Sequence, residues 1–309
     1  MFKPRPPKIT SPSKRVFFLS LLVAGLFFYL GSRFHTREVL APDPSTTLHL
    51  KQYHLLTNLM RSPEIAVELA GYRSDFDGTV QSVVVLRPTQ KEPDKVFFFF
   101  HGMSGDAVDA AVVQVLVKEL NGMVVAPGGR GPSWVSDALL ADAEQVIRKY
   151  HSSFSGYYLI GISMGGTQAL ALAGLLPEDL RKSLLGVLAG IPGSDLAAIA
   201  EASSNADVRA SLRASVEGKQ DRLKTRSPDQ LISRYPSGLP FAIFFRTDDT
   251  ILDASAMRRF IERLRSSGHP TSVFRTPGEH SFPYQDFGYE DFFNSLGQNS
   301  DHFKVPVSS

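Results

Sequence analysis

The sequence predicts an α/β fold in which a mostly parallel, twisted sheet is covered by helices on both faces. Two observations indicate this fold class. Short apolar runs alternate with stretches of helical spacing, and one apolar run leads through a glycine-flanked serine into a helical stretch. Such alternation is typical of parallel sheets, because each helix returns the chain to the start of the next strand. With 309 residues, of which 43% are apolar, the chain can bury a large core.

The predicted strands are short apolar runs bounded by turn residues, and the first of them follows an Asp77-Gly78 turn. The predicted helices have apolar residues three or four positions apart. Strand-forming stretches lie within residues 80–88, 95–102, 122–131, 156–163, 183–192, 238–249 and 271–280, and helical stretches lie within residues 138–150, 165–176, 254–268 and 289–298.

The alternation of strands and helices stops between Ile191 and Leu239. This stretch is polar, favours helix and contains no strand pattern. It is too long for an ordinary connection between two strands. We therefore expect a small helical insertion at about 191–239, which either packs as a surface helix pair or forms a lid over a pocket.

The first 31 residues carry the pattern of an export signal. Five Lys and Arg residues and no acidic residue lie within residues 1–15, and residues 16–30 are apolar apart from Ser20. As a helix this stretch reaches roughly 22 Å, short of the ~30 Å hydrocarbon core. Bulky aromatic residues at 27–29 stand where a signal peptidase requires small ones, so we expect an uncleaved signal anchor.

This anchor predicts a domain organisation and a location. Residues 1–15 form a basic cytoplasmic segment, residues 16–31 a transmembrane helix and residues 32–50 a linker with two prolines. Residues 51–309 form the folded domain, which the charge asymmetry places outside the cytoplasm. The alternatives are a cleaved signal peptide, which would secrete the same domain, and a buried core helix.

Charge and cysteine content exclude several classes of protein. Five of the 33 basic residues lie in the first 15 positions, which leaves 28 basic against 31 acidic residues in the remainder. Such a balance is not that of a nucleic-acid-binding protein. The absence of cysteine excludes disulfides and thiolate zinc sites. No metal-ligand spacing is present, and we expect no cofactor.

The stretch Gly161-Ile162-Ser163-Met164-Gly165 matches the pattern G-x-S-x-G, with a predicted strand before it and a predicted helix after it. In that context the serine lies on a sharp strand-to-helix turn, and the glycines remove side chains that would collide with it. The helix N-terminus also favours negative charge that develops nearby. Ser163 is therefore a candidate nucleophile, and the alternative is a tight turn that only requires small residues.

A serine nucleophile requires a base and a carboxylate to orient that base. Of the eight histidines, His280 follows the last predicted strand, where a loop can carry it over the serine. The alternative is a capping or surface histidine. Asp248 and Asp249 follow the preceding strand, and either could supply the carboxylate. The chain order is then serine, aspartate and histidine.

The stretch RTDDTIL, residues 246–252, is similar to the GTDDTIV stretch of many esterases in the α/β-hydrolase superfamily. That resemblance implies that Asp249 rather than Asp248 is the catalytic acid, and some family members would place it at Asp195. The likeness spans roughly residues 73–296. It implies an α/β-hydrolase fold of the esterase and prolyl-oligopeptidase-like kind, without the propeller of the latter.

The oxyanion of an acyl-transfer reaction requires two backbone N–H groups. One is that of Met164, which follows the nucleophile. The resemblance points to Met103 for the other, with Ser104 as the second candidate, and to His101 as a structural brace. Trp134, in a stretch similar to a pocket-lining loop of these relatives, is either a substrate-binding wall or a surface residue packed on the loop.

Together these residues predict a serine hydrolase that cleaves small-molecule carboxylic esters through an acyl-enzyme. The alternatives are a serine peptidase of the prolyl-oligopeptidase-like type and a thioesterase or acyltransferase. An inactive scaffold that acts as a binding protein is the alternative from another class. The acyl chain, the leaving group and the oligomeric state are left open by the sequence.

Overall fold

The fold is built on an eight-stranded sheet with the strand order β1-β2-β4-β3-β5-β6-β7-β8. The structure, a computed structural model, describes residues 53–283. The strands are β1 (Ile65–Arg73), β2 (Val80–Pro88), β3 (Lys95–Phe100), β4 (Gly122–Pro127), β5 (Tyr157–Ile162), β6 (Leu184–Gly190), β7 (Phe241–Arg246) and β8 (Thr271–Thr276).

Helices connect most of these strands. Residues 53–59 are also helical. The α-helices that follow β1 along the chain are α1 (Val115–Lys118), α2 (Asp137–His151), α3 (Met164–Leu175), α4 (Glu178–Lys182), α5 (Leu196–Ala202), α6 (Ala206–Ser215), α7 (Asp221–Thr225) and α8 (Ala254–Ser266), and 3₁₀ turns lie at Ala107–Val113, Pro228–Gln230 and Ile232–Arg234.

The mostly parallel sheet predicted from the sequence is confirmed. Strands β4, β3, β5, β6, β7 and β8 run parallel to their neighbours. The exceptions are at one edge, where β2 pairs antiparallel with both β1 and β4. A tight turn joins β1 to β2, and Gly78 N–H donates to Ser74 O at 2.8 Å within it. A connection this short can only join antiparallel strands.

The sequence prediction did not include β1, and it did not include the helical segment that follows β3. Strand β1 forms the sheet edge, and most of its residues are exposed or half-buried. Its apolar residues therefore do not form the continuous run by which the central strands were identified. Edge strands with one neighbour are weakly marked in a sequence for this reason.

The core lies on both faces of the sheet. Strand β3 shows how, because successive side chains of a strand point to opposite faces. Phe98 and Phe100 belong to one buried cluster, and Phe97 and Phe99 belong to the other. All four are at most 2% exposed. The run of four phenylalanines is thus explained, because β3 is a central strand with a buried core on each of its two faces.

The helical insertion predicted between β6 and β7 is confirmed, and it comprises α5, α6, α7 and two 3₁₀ turns. Ionic contacts tie it to the start of α2. Arg222 and Arg226 both pair with Asp137, and Arg226 Nη1 also donates to Val135 O at 2.6 Å. Leu212 and Leu223 of the insertion are buried in the main core. The insertion is therefore packed onto the body of the domain.

Some predicted elements lie outside the described residues. These are the signal anchor at residues 16–31, the segments on either side of it at 1–15 and 32–50, and the last helix at 289–298. They stay predictions. Within residues 53–283, no helix combines the length and the apolar character that a membrane span requires.

The backbone of helix α3 lies directly against the backbone of the sheet, with no room for a side chain between them. A Cβ atom built on Gly165 would lie 1.9 Å from Phe100 O, and one built on Gly161 would lie 2.0 Å from Gly165 O. Real Cβ atoms do not come so close to backbone atoms. The glycines are therefore required by packing, and the neighbouring backbone cannot move aside without distorting β3 and β5.

We expect Gly165→Ala to lower the free energy of unfolding by about 1–3 kcal/mol or more, because overpacking forces the backbone to shift. Urea-induced unfolding followed by circular dichroism measures the change. Gly71→Ala is the matched control, since its Cβ would have its nearest neighbour at an ordinary 3.5 Å. Equal unfolding midpoints for the two variants would contradict the packing argument.

Candidate active site

Ser163 lies at the turn between β5 and α3 with φ 57° and ψ −120°. A positive φ in a residue with a side chain is strained and is held only by surrounding structure. Two backbone hydrogen bonds hold it here. Ser163 N–H donates to Gly190 O at 2.8 Å, and Thr167 N–H donates to Ser163 O at 3.0 Å. The turn thereby presents the serine hydroxyl at the end of the strand.

Three side chains that the sequence singles out form one hydrogen-bonded line. Ser163 Oγ lies 2.8 Å from His280 Nε2, and His280 Nδ1 lies 2.6 Å from Asp249 Oδ2. The serine follows β5, the aspartate follows β7 and the histidine follows β8. These strands are parallel, so their carboxyl ends meet at the same edge of the sheet, which is where such folds form their sites.

Asp249 is a buried carboxylate, with 8% of its surface exposed. Its Oδ1 accepts hydrogen bonds from the backbone N–H groups of Ile251 at 2.9 Å and Leu252 at 3.0 Å. Burial opposes ionisation, but the hydrogen bond and charge of His280 and the two N–H groups outweigh it and lower the pKa of Asp249. The carboxyl group therefore stays ionised beside the imidazole.

The two other candidate acids have different partners. Asp248 Oδ2 accepts a hydrogen bond from Gly278 N–H at 2.8 Å, in the loop that precedes His280. Asp195 begins helix α5, where its side chain accepts from Ala198 N–H at 3.0 Å. Neither carboxylate is hydrogen-bonded to the histidine. The residues alone leave open which of the two adjacent aspartates pairs with the histidine. The hydrogen-bond geometry distinguishes them.

Both candidate oxyanion donors are near the nucleophile. Met164 is the first residue of α3 and directly follows Ser163. Met103 lies in a turn that Gly105 N–H closes by donating to Gly102 O at 2.9 Å. A Cβ on Gly102 would lie 3.9 Å from Ser163 Cβ, so this turn passes beside the serine. We name residues 102–105 the oxyanion loop. Ser104, the second candidate, belongs to the same loop.

His101 precedes the oxyanion loop and is buried, with 3% of its surface exposed. Its Nδ1 lies 2.7 Å from Gly102 O, and its Nε2 lies 3.0 Å from Gly128 O in the loop after β4. The ring therefore connects two neighbouring loops at the end of the sheet. This placement matches the bracing position that the resemblance implies.

Trp134 is buried, which differs from both positions expected for it. It is 1% exposed and belongs to the core, so it is neither a wall open to substrate nor a surface residue. Its Nε1–H donates to Ser211 Oγ at 2.9 Å, and that oxygen lies 3.3 Å from Met103 Sδ. Burial of the indole is possible because the insertion supplies a partner for its N–H group. Nothing in the sequence pattern singles out Ser211.

The contacts of Trp134 connect three separate parts of the chain. Ser211 lies on α6 of the insertion, Trp134 lies in the loop before α2, and Met103 belongs to the oxyanion loop. The insertion therefore contacts the loop that carries Met103, one of the two candidate oxyanion donors. Within residues 53–283, no group of His, Asp and Glu side chains is arranged to hold a metal ion.

A buried acid lies beside the oxyanion loop. Asp109 is 5% exposed, and its Oδ1 has no hydrogen-bond partner among the described residues. A Cβ on Gly105 would lie 2.1 Å from its Oδ2, so the carboxyl group contacts the loop. Burial first, and then the charge of Asp106, raise the pKa of Asp109 to about 8. The carboxyl is therefore protonated at neutral pH.

The raised pKa predicts how stability depends on pH. An unfolded aspartate releases its proton near pH ~3.9, whereas Asp109 keeps its proton up to about pH 8 in the folded protein. Between these values the folded state binds more protons, so stability falls as pH rises. We expect Asp109→Asn to reduce this fall in urea unfolding measured from pH 5 to pH 9. The exposed Asp75→Asn is the control, and equal pH dependence of the two variants would contradict the assignment.

Solved structures of other proteins superpose on this chain. An acylaminoacyl peptidase from Pyrococcus horikoshii superposes with a TM-score of 0.62 at 14% identity, over 81% of this chain and 45% of the peptidase. This chain thus spans about half the length of that enzyme. An esterase from Pyrobaculum calidifontis gives a TM-score of 0.61 at 18% identity, over 90% of this chain and 95% of the esterase.

A third similar structure is the fluorophosphonate-binding serine hydrolase F of Staphylococcus aureus, with a TM-score of 0.59 at 16% identity, over 75% of this chain and 97% of that one. No protein-family model and no curated protein matches the sequence. The likeness is therefore one of architecture, with a mostly parallel eight-stranded sheet and a strand–serine–helix turn. The chain has the α/β-hydrolase fold.

Proposed function

We propose that the protein is a serine hydrolase that cleaves carboxylic esters through a covalent acyl-enzyme. The observation that supports it is the line of two hydrogen bonds from Ser163 Oγ through His280 to Asp249. It occurs at a strained strand-to-helix turn, beside a loop that can supply a backbone donor. The fold alone does not imply activity, so the proposal depends on this site.

In the first half of the proposed reaction, Ser163 Oγ attacks the ester carbonyl carbon while His280 Nε2 accepts the hydroxyl proton. The 2.8 Å separation of these atoms is within hydrogen-bond reach, as a general base requires. The oxyanion accepts hydrogen bonds from the N–H groups of Met164 and Met103. The imidazolium then returns its proton to the leaving alcohol, and an acyl-serine remains.

In the second half, water attacks the acyl-serine. His280 accepts a proton from that water and returns it to Ser163 Oγ as the bond between the acyl carbon and Oγ breaks, so that the carboxylic acid and the free serine are released. Asp249 serves both halves, because its carboxylate holds Nδ1–H and stabilises the imidazolium. The low pKa of Asp249 is consistent with this role, since the carboxylate stays ionised across the range in which an imidazole can act as a base.

Two observations bear on the substrate class. The esterase neighbour is matched over 95% of its length, so nearly the whole of that esterase has a structural counterpart in this chain. The peptidase neighbour is matched over 45% of its length. An ester is therefore the first proposal. A serine peptidase with the same triad is the second, because the peptidase superposes with the highest TM-score among the three.

A fluorophosphonate probe tests for an active serine. We expect covalent labelling of the wild-type protein at Ser163, detected by mass spectrometry, and none of Ser163→Ala. The alanine variant should unfold at nearly the same urea concentration, because Ser163 is half-buried and the substitution removes its hydrogen bond with His280 but no core packing. A wild-type chain that is folded and resists labelling would contradict the proposal and favour an inactive binding scaffold.

The adjacent aspartates provide a matched pair for kinetics. We expect Asp249→Asn to lower kcat for ester cleavage by a factor of about 10⁴, as loss of the orienting carboxylate does in a triad. Asp248→Asn should lower it much less, because its oxygen contacts Gly278 rather than His280. The assignment of the acid is wrong if Asp248→Asn has the larger effect.

A panel of substrates separates the candidate reactions. We expect p-nitrophenyl and alkyl esters to be cleaved with higher kcat/KM than acylated peptide amides or thioesters of the same acyl chain. Ser163→Ala is the control for background hydrolysis. A preference for acylated peptides would favour the peptidase, and a preference for thioesters would favour a thioesterase.

A further inference from the structure

The loop that carries His280 is not held by the hydrogen bonds of a helix or a strand. Strand β8 ends at Thr276, and no helix or strand covers residues 277–283. The loop also contains Gly278 with a φ of 122°. Yet the imidazole must stay within hydrogen-bond reach of the serine, and a displacement of about 1 Å can cost about 10²-fold in rate. Other groups must therefore hold this loop.

One side chain contacts the loop on both sides of the histidine. Arg246, the last residue of β7, donates from Nε to Ser281 O at 3.0 Å. It also donates from Nη1 to Thr276 Oγ1 at 2.7 Å and to Pro277 O at 3.0 Å. The guanidinium therefore bridges the start of the loop and the residue that follows the histidine.

The bridging group is itself held in place. Arg246 Cζ lies 5.4 Å from the ring centroid of Phe244, which is buried in β7. That ring packs edge-to-face against Phe282, with centroids 5.3 Å apart. A Cβ on Gly190 would lie 2.5 Å from the Phe282 ring, and Gly190 O is the acceptor for Ser163 N–H. The arginine thus belongs to a packed group that reaches the turn of the nucleophile.

A second contact comes from the same strand end. Asp248 Oδ2 accepts from Gly278 N–H at 2.8 Å, and Asp248 N–H donates to Gly278 O at 3.2 Å. Thr247 N–H donates to Thr276 O at 3.0 Å. The carboxylate thus holds the middle of the loop and the guanidinium its two ends.

We propose that Arg246 is a positioning residue, which holds His280 in reach of Ser163 by bridging the carbonyl oxygens of Pro277 and Ser281. This inference rests on the proposed function. A planar guanidinium with several fixed N–H donors can make such a bridge, whereas the single ammonium of lysine cannot span both ends in the same geometry. The esterase stretch GTDDTIV has glycine at this position, which has no side chain to supply these bonds.

The test compares wild-type protein with Arg246→Ala, Arg246→Lys and Arg275→Ala in the full chain, with a p-nitrophenyl ester as substrate. Arg275 is exposed and lies on β8, two residues before Pro277, so its variant controls for loss of positive charge. We expect Arg246→Ala to lower kcat by about 10²-fold, as a misplaced catalytic group does, with little change in KM. The rate of fluorophosphonate labelling should fall in parallel.

Rescue distinguishes positioning from a general loss of structure. We expect millimolar guanidinium chloride, compared with sodium chloride at the same ionic strength, to restore part of the kcat of Arg246→Ala. It should not raise the kcat of Arg275→Ala. Arg246→Lys should lie between the wild type and the alanine variant. Circular dichroism identifies a variant that fails to fold. If Arg246→Ala fails to fold, the kcat of Arg246→Lys is compared with that of the wild type instead.

Three outcomes have separate meanings. A kcat for both Arg246 variants within about threefold of wild type would overturn the inference, because loss of the bridge should cost far more. A loss in a folded variant that appears in KM, or that neither guanidinium nor lysine restores, would overturn it too. A folded wild-type protein that shows neither labelling nor hydrolysis would instead contradict the proposed function.

Discussion

The arrangement of the site depends on the contact between the backbone of helix α3 and the sheet beneath it. Gly165 lies against Phe100 O of β3, and Gly161 lies against Gly165 O. This contact allows the chain to turn sharply at Ser163, where φ is 57°. A larger residue at either glycine would push the helix away from the strands. The serine would then no longer lie at the edge where the loops from β7 and β8 arrive.

Asp249 and the loop of His280 are each held by further partners. Asp249 uses one oxygen for His280 and the other for two backbone N–H groups, so it cannot rotate without losing hydrogen bonds. The loop of His280 is held by Arg246 and Asp248 from the strand next to it. Such support from surrounding groups is what a site requires when its working distances must be kept within a fraction of an ångström.

The insertion contacts the site at the oxyanion loop. Its Ser211 accepts from Trp134 and contacts Met103 Sδ, so the fold of α6 bears on the oxyanion loop. The same loop contacts Asp109, a carboxyl that burial keeps protonated near neutral pH. The oxyanion loop thus contacts both a protonated acid and a side chain from the insertion.

By itself, the sequence determined the alternation of strands and helices, the helical insertion and the turn at Ser163. These follow from local patterns of apolar spacing and from small residues at a sharp turn. It also pointed to His280 and to a pair of aspartates, because chain order constrains which loops can follow which strands. The edge strand β1 escaped prediction, since its exposed face carries no continuous apolar run.

Only the tertiary structure decided which aspartate faces the histidine, that Trp134 is buried, and that Arg246 bridges the histidine loop. Each of these depends on residues far apart in the chain, such as Trp134 and Ser211, or Met103 and Ser211. A carboxylate oxygen selects its partner through distances of a few tenths of an ångström. The pairing of β7 with β8 sets those distances, and no local pattern of residues encodes them.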